Sequence, residues 1–263
     1  MDSVSLDNEE WMNVDMNQLK RVEILGVPFL HETFDGTVDL LTRRVLKGEK
    51  IQVVTANPEI VMMCRDNPYF MTMLQNADII TPDGIGIVMA SRWMGQPLPE
   101  RVAGFELLNG LMSRANENGW KYVLLGASPA SCKGAADKLK ELYPDAQCVG
   151  HFDGYFSPES EIQIIESIQE ARPHFLFVGL GAPRQEEWIA KYLQDLPVNL
   201  AMGVGGSFDV LSGTVKRAPK VWQKFNIEWL YRLLAQPKRW RRQLMLPKFA
   251  LIVLWNLFLP HKK

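Results

Sequence analysis

From Arg21 onward, short apolar or β-branched runs alternate with longer stretches whose apolar positions recur at helical spacing, the pattern of an α/β domain built on a mainly parallel sheet. This predicts strands over residues 22–27, 51–55, 78–81, 122–126, 147–151, 175–179 and 200–204. Several runs end in signals that start a helix. Asn57-Pro58 supplies a capping side chain and a proline at the first helical position, Ser128-Pro129 repeats the device, and Ala182-Pro183 reads the same way. No repeat, low-complexity tract or Pro/Gly/Ser linker interrupts the alternation, and the one shift in composition falls near Lys216.

At 263 residues and 47% hydrophobic, the chain is long and apolar enough for one large or two small domains with a buried core, which excludes a disordered or collagen-like chain. Cys64, Cys132 and Cys148 form no CxxC pair and point to a reducing compartment. Residues 1–18 hold five acids and no Lys or Arg, the reverse of a signal or transit peptide, so a cytoplasmic protein is expected. The net charge of −1 hides a division. Residues 216–263 hold twelve Lys/Arg against Glu228 alone, a formal +11, and four of the eight tryptophans; residues 1–215 carry a formal −12. A basic, aromatic tail on an acidic body argues for an anionic partner surface. Pro219, Pro237, Pro247 and Pro260 divide the tail into three short helical pieces, and Trp222, Phe225, Trp229 and Leu233 share one helical face. The longest apolar run, residues 249–259, has about half of the ~20 residues that cross a bilayer. An interfacial anchor on anionic lipid is therefore expected rather than a span, with a core-packing terminal helix as the alternative. Nucleic acid is disfavoured, because four tryptophans and a Leu/Phe/Val-rich end exceed what phosphate contact needs.

In open α/β sheets ligands bind outside the carboxyl ends of the strands, so the turns there come first. Four stand out: Thr55-Ala56-Asn57-Pro58, residues 81–86 around Asp83, residues 179–186, and residues 203–209 with Gly203, Gly205, Gly206 and Asp209. Glycines let backbone approach a ligand and helix N-termini favour phosphate oxygens, which suggests a nucleotide or nucleotide-sugar site; plain turn geometry is the alternative for each. Gly179-x-Gly181 is followed by Arg184 where a dinucleotide fingerprint wants Gly or Ala, and no P-loop, HExxH or GxSxG motif occurs. No Asp-x-Asp is present to hold a metal and a diphosphate, so charge neutralisation by arginine is expected, without metal or cofactor. Asp83, flanked by Gly84 and after Pro82, is the carboxylate placed for chemistry, with capping of the next helix as its alternative role. Arg101 precedes a helix, where a solvated arginine is the plainer reading.

Taken in order, Thr55-Ala56-Asn57-Pro58, Pro82-Asp83-Gly84, Arg101-Val102-Ala103-Gly104, Pro183-Arg184-Gln185-Glu186, residues 203–209 and Gly213 through Arg217-Ala218-Pro219 resemble the WecG/TagA/CpsF glycosyltransferase family over about residues 22–245. The resemblance implies a Rossmann-like glycosyltransferase domain over 21–215, after an acidic extension over 1–20 and before a helical, membrane-binding appendage over 216–263. It implies transfer from a UDP-sugar to a polyprenyl-diphosphate-linked GlcNAc at the inner face of the bacterial membrane. N-acetylmannosamine is the best-described sugar of the family, with a ManNAc-uronate or glucose donor as rivals; a Rossmann dehydrogenase and a non-catalytic adaptor are the readings from other classes. By motif, Asp83 resembles the catalytic base, Thr55, Asn57, Arg101 and Gln185 match pocket residues, and Arg232, Arg239 and Arg242 match appendage arginines that close over the site. Peripheral attachment to the cell membrane follows from the same resemblance, and self-association stays open.

Overall fold

The computed structural model of the chain describes residues 16–219, 221–222, 228–235 and 244–258. The acidic extension thus lies largely outside the described residues, apart from a short 3-10 turn at Met16–Gln18. The expected strand over 22–27 is instead a hairpin, β1 (Arg21–Ile24) paired antiparallel with β2 (Val27–Leu30). Leu25 and Gly26 form its two-residue turn at φ 51° and 87°, the left-handed pair that matches the twist of a hairpin. Leucine is a rare occupant of that conformation, so the sequence offers no turn signal beyond Gly26. Gln75 fastens the turn, its Nε2 donating to the Gly26 carbonyl at 2.8 Å.

The remaining strands are β3 (Ile51–Ala56), β4 (Ile79–Pro82), β5 (Lys121–Gly126), β6 (Gln147–Phe152), β7 (Phe175–Gly179) and β8 (Leu200–Gly203). They form one parallel sheet in the order β4-β3-β8-β7-β5-β6. Parallel sheets need both faces covered, and β3, β7 and β8 are buried at every position, whereas β6 at the edge is not. One face, with Val53, Leu124, Phe177 and Met202, packs on α1 (Phe34–Leu46), α5 (Gly104–Asn118), α6 (Pro129–Leu142) and α9 (Ser207–Leu211). The other, at Val54, Ala56 and Ile80, carries the hairpin with α2 (Pro58–Asp66), α3 (Pro68–Gln75) and α4 (Ile85–Trp93). Further along that face, α7 (Pro158–Ala171) and α8 (Arg184–Tyr192) cover Leu125, Leu176, Val178 and Ala201. The fold is the expected Rossmann-like α/β sandwich.

Cap chemistry explains several helix starts. Asn57 Oδ1 accepts from Ile60 N at 3.0 Å and Ser128 Oγ from Ser131 N at 3.1 Å, each ahead of a proline. Asn67-Pro68 and Ser157-Pro158 use the same device, which the sequence reading passed over. Ala182-Pro183 does not: its peptide bond is cis, alanine offers no capping oxygen, and Pro183 itself takes the cap position of α8.

The C-terminal part contributes α10 (Glu228–Ala235) and α11 (Met245–Phe258). The expectation that Pro247 separates two helices is corrected: α11 begins at Met245 and runs through it. Proline is tolerated there because the first-turn N–H groups have no intrahelical acceptor. Phe249 and Val253 of α11 are buried with residues of α2 and α4, while Leu251 and Trp255 on the other side are 68% and 67% exposed. No helix among the described residues is long and apolar enough to cross a membrane. Of the apolar face expected at Trp222, Phe225, Trp229 and Leu233, Phe225 lies outside the described residues, Trp222 packs against Tyr231 and Trp229 is exposed.

The two sides of α11 have opposite energetic weight. Phe249→Ala should lower the unfolding free energy by about 3–5 kcal/mol in urea titrations, as for other buried phenylalanines. Leu251→Ala should stay within about 0.5 kcal/mol of the parent.

Candidate active site

The chain leaves β3 for α2 on one face of the sheet and leaves the adjacent β8 for α9 on the other. The two connections diverge, the arrangement at which open α/β sheets form a ligand crevice beyond the strand ends.

Beside that crevice, β3 and β4 are in register with Thr55 opposite Thr81 and Ala56 opposite Pro82, so their turns emerge together. The Asp83 N–H donates to the Ala56 carbonyl at 3.0 Å, carrying the pairing one residue beyond β4. Gly84 follows at φ 116°, a conformation closed to most side chains, and its α-carbon faces Asn57 closely enough that a β-carbon would stand 3.8 Å from that of Asn57. Gly84 also occupies the cap position of α4, which has no side-chain cap, so the capping role for Asp83 is not realised. Asp83 is half-buried. The Arg101 loop is sewn to the same strand end: Val102 N donates to the Pro82 carbonyl at 3.0 Å and Thr81 Oγ1 to the Val102 carbonyl at 3.2 Å. The first residue of α5, Gly104, lies against Thr55, where a β-carbon would come within 2.8 Å of Thr55 Oγ1. The structure thus brings Thr55, Asn57, Asp83 and Arg101 together from three separate segments. With one lone pair of Asn57 Oδ1 engaged in capping, its second lone pair and the Nδ2 group are the atoms that can meet a ligand.

Gln185 occupies the other wall. It is 4% exposed, and its Oε1 accepts from Gly181 N at 3.1 Å and Gly205 N at 3.0 Å, which ties the turn after β7 to the turn after β8. Its Nε2 donates to Glu186 Oε1 at 2.7 Å. The glycine turn over 203–206 therefore has fewer free donors than its composition suggests: the N–H of Val204 goes to Val178, that of Gly205 to Gln185 and that of Ser207 back to Val204. Asp209 is half-buried on α9, and its carbonyl accepts from Val215 N at 2.9 Å. Glu186 is 1% exposed, and burial raises its pKa from 4.5 to about 7. Burial, and after it the nearby Glu186 carboxyl, pushes the thiol of Cys64 up to about 12.

Arg101 reaches the C-terminal part of the chain. Its Nη1 and Nη2 each lie 3.4 Å from Glu228 Oε1 at the start of α10, and Nη2 lies 3.8 Å from Glu106 Oε1. Glu106 also pairs with Arg217, whose guanidinium sits 4.5 Å over the Phe105 ring. Arg232 lies one helical turn after Glu228 on α10; its side chain, and Arg239 and Arg242 altogether, lie outside the described residues. Among the described residues no group of three His, Cys, Asp or Glu could hold a metal ion. Sequence reasoning missed Glu106, Glu186 and Glu228 as parts of the site. For Glu228 a signal existed, since a lone acid in a +11 segment calls for a defined cation, and Glu186 stands next to Gln185 in the motif that carries the resemblance; for Glu106 there was none.

Comparison with known proteins places the chain among sequence relatives. The family model described as Glycosyl transferase WecG/TagA/CpsF family matches residues 22–263. A relative from Bacillus spizizenii is 42% identical over 202 residues, 77% of this chain and 78% of its own length. One from Bacillus subtilis is 38% identical over 234 residues, 88% and 90% of the two chains, and one from Staphylococcus aureus is 36% identical over 231 residues, 87% and 90%. All three are named N-acetylglucosaminyldiphosphoundecaprenol N-acetyl-beta-D-mannosaminyltransferase.

A raised carboxyl pKa means that the folded state binds the extra proton, so the stabilisation is complete below the unfolded pKa and is lost as pH rises through about 7. Glu186→Gln removes this titration. Between pH 5 and pH 8 the stability of the variant relative to the parent should therefore rise, by up to about 3 kcal/mol. Urea titrations at a series of pH values measure it, and a constant difference would place the carboxyl's pKa in the ordinary range.

Proposed function

The chain belongs to the glycosyl transferase WecG/TagA/CpsF family, and from that premise we propose that it moves N-acetylmannosamine from UDP-N-acetylmannosamine to undecaprenyl-diphosphate-GlcNAc, forming a β-1,4 linkage with inversion at the anomeric carbon. The observation that carries this reading is the meeting of Asp83, Thr55, Asn57 and Arg101 at one end of a parallel sheet, beside the crevice between β3 and β8. The shared name of the relatives favours N-acetylmannosamine over glucose or a ManNAc-uronate.

The roles follow from chemistry. Asp83, held by the Ala56 carbonyl at a glycine-flanked turn, takes the proton of the acceptor hydroxyl as that oxygen attacks. A single carboxylate suffices because the nucleophile is the acceptor's own hydroxyl and UDP departs as an anion. Negative charge grows on the departing diphosphate, and Arg101 stands where a guanidinium can meet it with two N–H groups. Arg232, Arg239 and Arg242 are assigned the same task from the appendage. The scheme places arginines where other transferases use a divalent ion, so metal independence is part of it. The exposed side of α11, with Leu251 and Trp255, and the basic tail suit peripheral attachment to anionic lipid at the inner face of the membrane, where the acceptor resides.

With saturating donor and acceptor, Asp83→Asn should reduce turnover about 10²-fold or more while UDP affinity is retained, the usual weight of general base catalysis. The parent enzyme should keep its rate in EDTA in the same assay. A variant rate within a few-fold of the parent moves the base elsewhere, and loss in EDTA that added metal restores rejects the arginine scheme.

Attachment has its own measurement. Replacing Leu251 and Trp255 together by Ser should cut co-sedimentation with phosphatidylglycerol vesicles about tenfold or more, since each buried apolar side chain contributes about 1.5–3 kcal/mol. Unchanged sedimentation would assign attachment to the basic residues alone.

A further inference from the structure

We propose that Glu186 is a positioning residue of the donor site, its carboxyl holding the Gln185 side chain in the one orientation that ties the turns after β7 and β8 together. A carboxamide is nearly symmetric in shape and opposite in hydrogen bonding at its two ends. As placed, Gln185 Oε1 meets two donors, Gly181 N at 3.1 Å and Gly205 N at 3.0 Å. Turned over, it would present Nε2 to both and leave two partly buried backbone N–H groups facing a donor instead of their acceptor. Glu186 Oε1, an acceptor 2.7 Å from Nε2, prevents this. The pair is wedged against the end of β8, where a β-carbon on Gly203 would come within 2.5 Å of Gln185 Nε2 and 3.1 Å of Glu186 Oε1.

The arrangement is costly, which argues that the carboxyl has a task. Glu186 is 1% exposed, and its Oε2 has no hydrogen-bond partner among the described residues. A leucine would fill the same space without burying a polar group. What leucine cannot supply is an acceptor fixed opposite Gln185 Nε2. The two turns joined through Gln185 form one wall of the crevice, so the spacing of that wall depends on Glu186 although the side chain itself lies inside the core. The inference rests on the donor reading for its effect on activity, and on geometry alone for its effect on the turns.

Amide-proton exchange at Gly181 and Gly205, read by NMR without substrate, tests the geometry, and the split between donor KM and kcat tests its consequence. In Glu186→Gln the carboxamide oxygen still accepts from Gln185, so exchange and KM should stay within about twofold of the parent. Glu186→Leu should speed exchange at both glycines and raise donor KM about tenfold, the weight of one lost hydrogen bond, with kcat changed less than about threefold. Added to Gln185→Leu, it should change neither quantity further, because the two residues act as one unit. Unaltered exchange in Glu186→Leu, equal defects in Glu186→Gln and Glu186→Leu, or additive effects with Gln185→Leu would each overturn the proposal. Should Glu186→Leu not fold, Gln185→Leu alone must show the fast exchange at both glycines and Glu186→Gln must not. If exchange responds as expected but the parent turns over no UDP-sugar, the failure belongs to the donor reading and the role of Glu186 in the turns stands.

Discussion

Where a parallel strand outlasts its neighbour, its backbone donors and acceptors lose their ladder partners, and a buried group cannot be left unpaired. The site depends on how the chain meets that constraint at one end of the sheet. Four turns are closed by backbone bonds that extend the ladder: Asp83 N to Ala56, Val102 N to Pro82, Ala127 N to Gly179 and Val204 N to Val178, all between 2.9 and 3.0 Å. Among the described residues Gly181 and Gly205 have no such backbone partner, and one side chain, Gln185, serves both. The turns that carry chemistry are thereby as fixed as the strands that precede them, which lets a crevice of short loops hold reacting groups in register.

The parts legible in the sequence were those in which a local signal and the tertiary demand agree. β3, β7 and β8 read clearly because a strand covered on both faces must be apolar at nearly every position. Asn57-Pro58 and Ser128-Pro129 read clearly because cap and proline are adjacent in the chain. Leu25-Gly26 did not, since the left-handed turn is imposed on a leucine by the hairpin around it. At the site, Asp83, Thr55 and Asn57 could be found because strand ends are where ligands gather. Glu106, Glu186 and Glu228 were not assigned to it, although Glu228 stands out as a lone acid in the basic tail and Glu186 within the Pro183-Arg184-Gln185-Glu186 motif, because each matters through a partner distant in sequence or hidden in the core: Glu228 lies 127 residues from Arg101. The resemblance to a family located Gln185, but as a pocket residue; the structure adds that it is buried and braces two turns.

The contact of Arg101 with Glu228 links the acidic body to the basic tail at the position where the proposed chemistry takes place. Both side chains keep partial access to water, and ion pairs of that kind contribute about 0–1 kcal/mol. It is therefore a weak tie. A diphosphate offers the same guanidinium more charge than one carboxylate does, so arrival of donor can exchange the partner of Arg101 at little energetic cost. Glu106, shared by Arg101 and Arg217, provides a second acid within the same group of charges.

The helix at the end of the chain has a mechanical consequence. α11 is anchored through Phe249 and Val253 in the same core that holds α2 and α4, so its outer side cannot swing away on a hinge without exposing that core to water. Any surface against which Leu251 and Trp255 come to rest is met by the whole body at one attitude, like a keel fixed to its hull. Because α2 and α4 begin at the turns of Asn57 and Asp83, that attitude also sets the bearing of the crevice, which becomes a dimension of the fold rather than of a flexible linker.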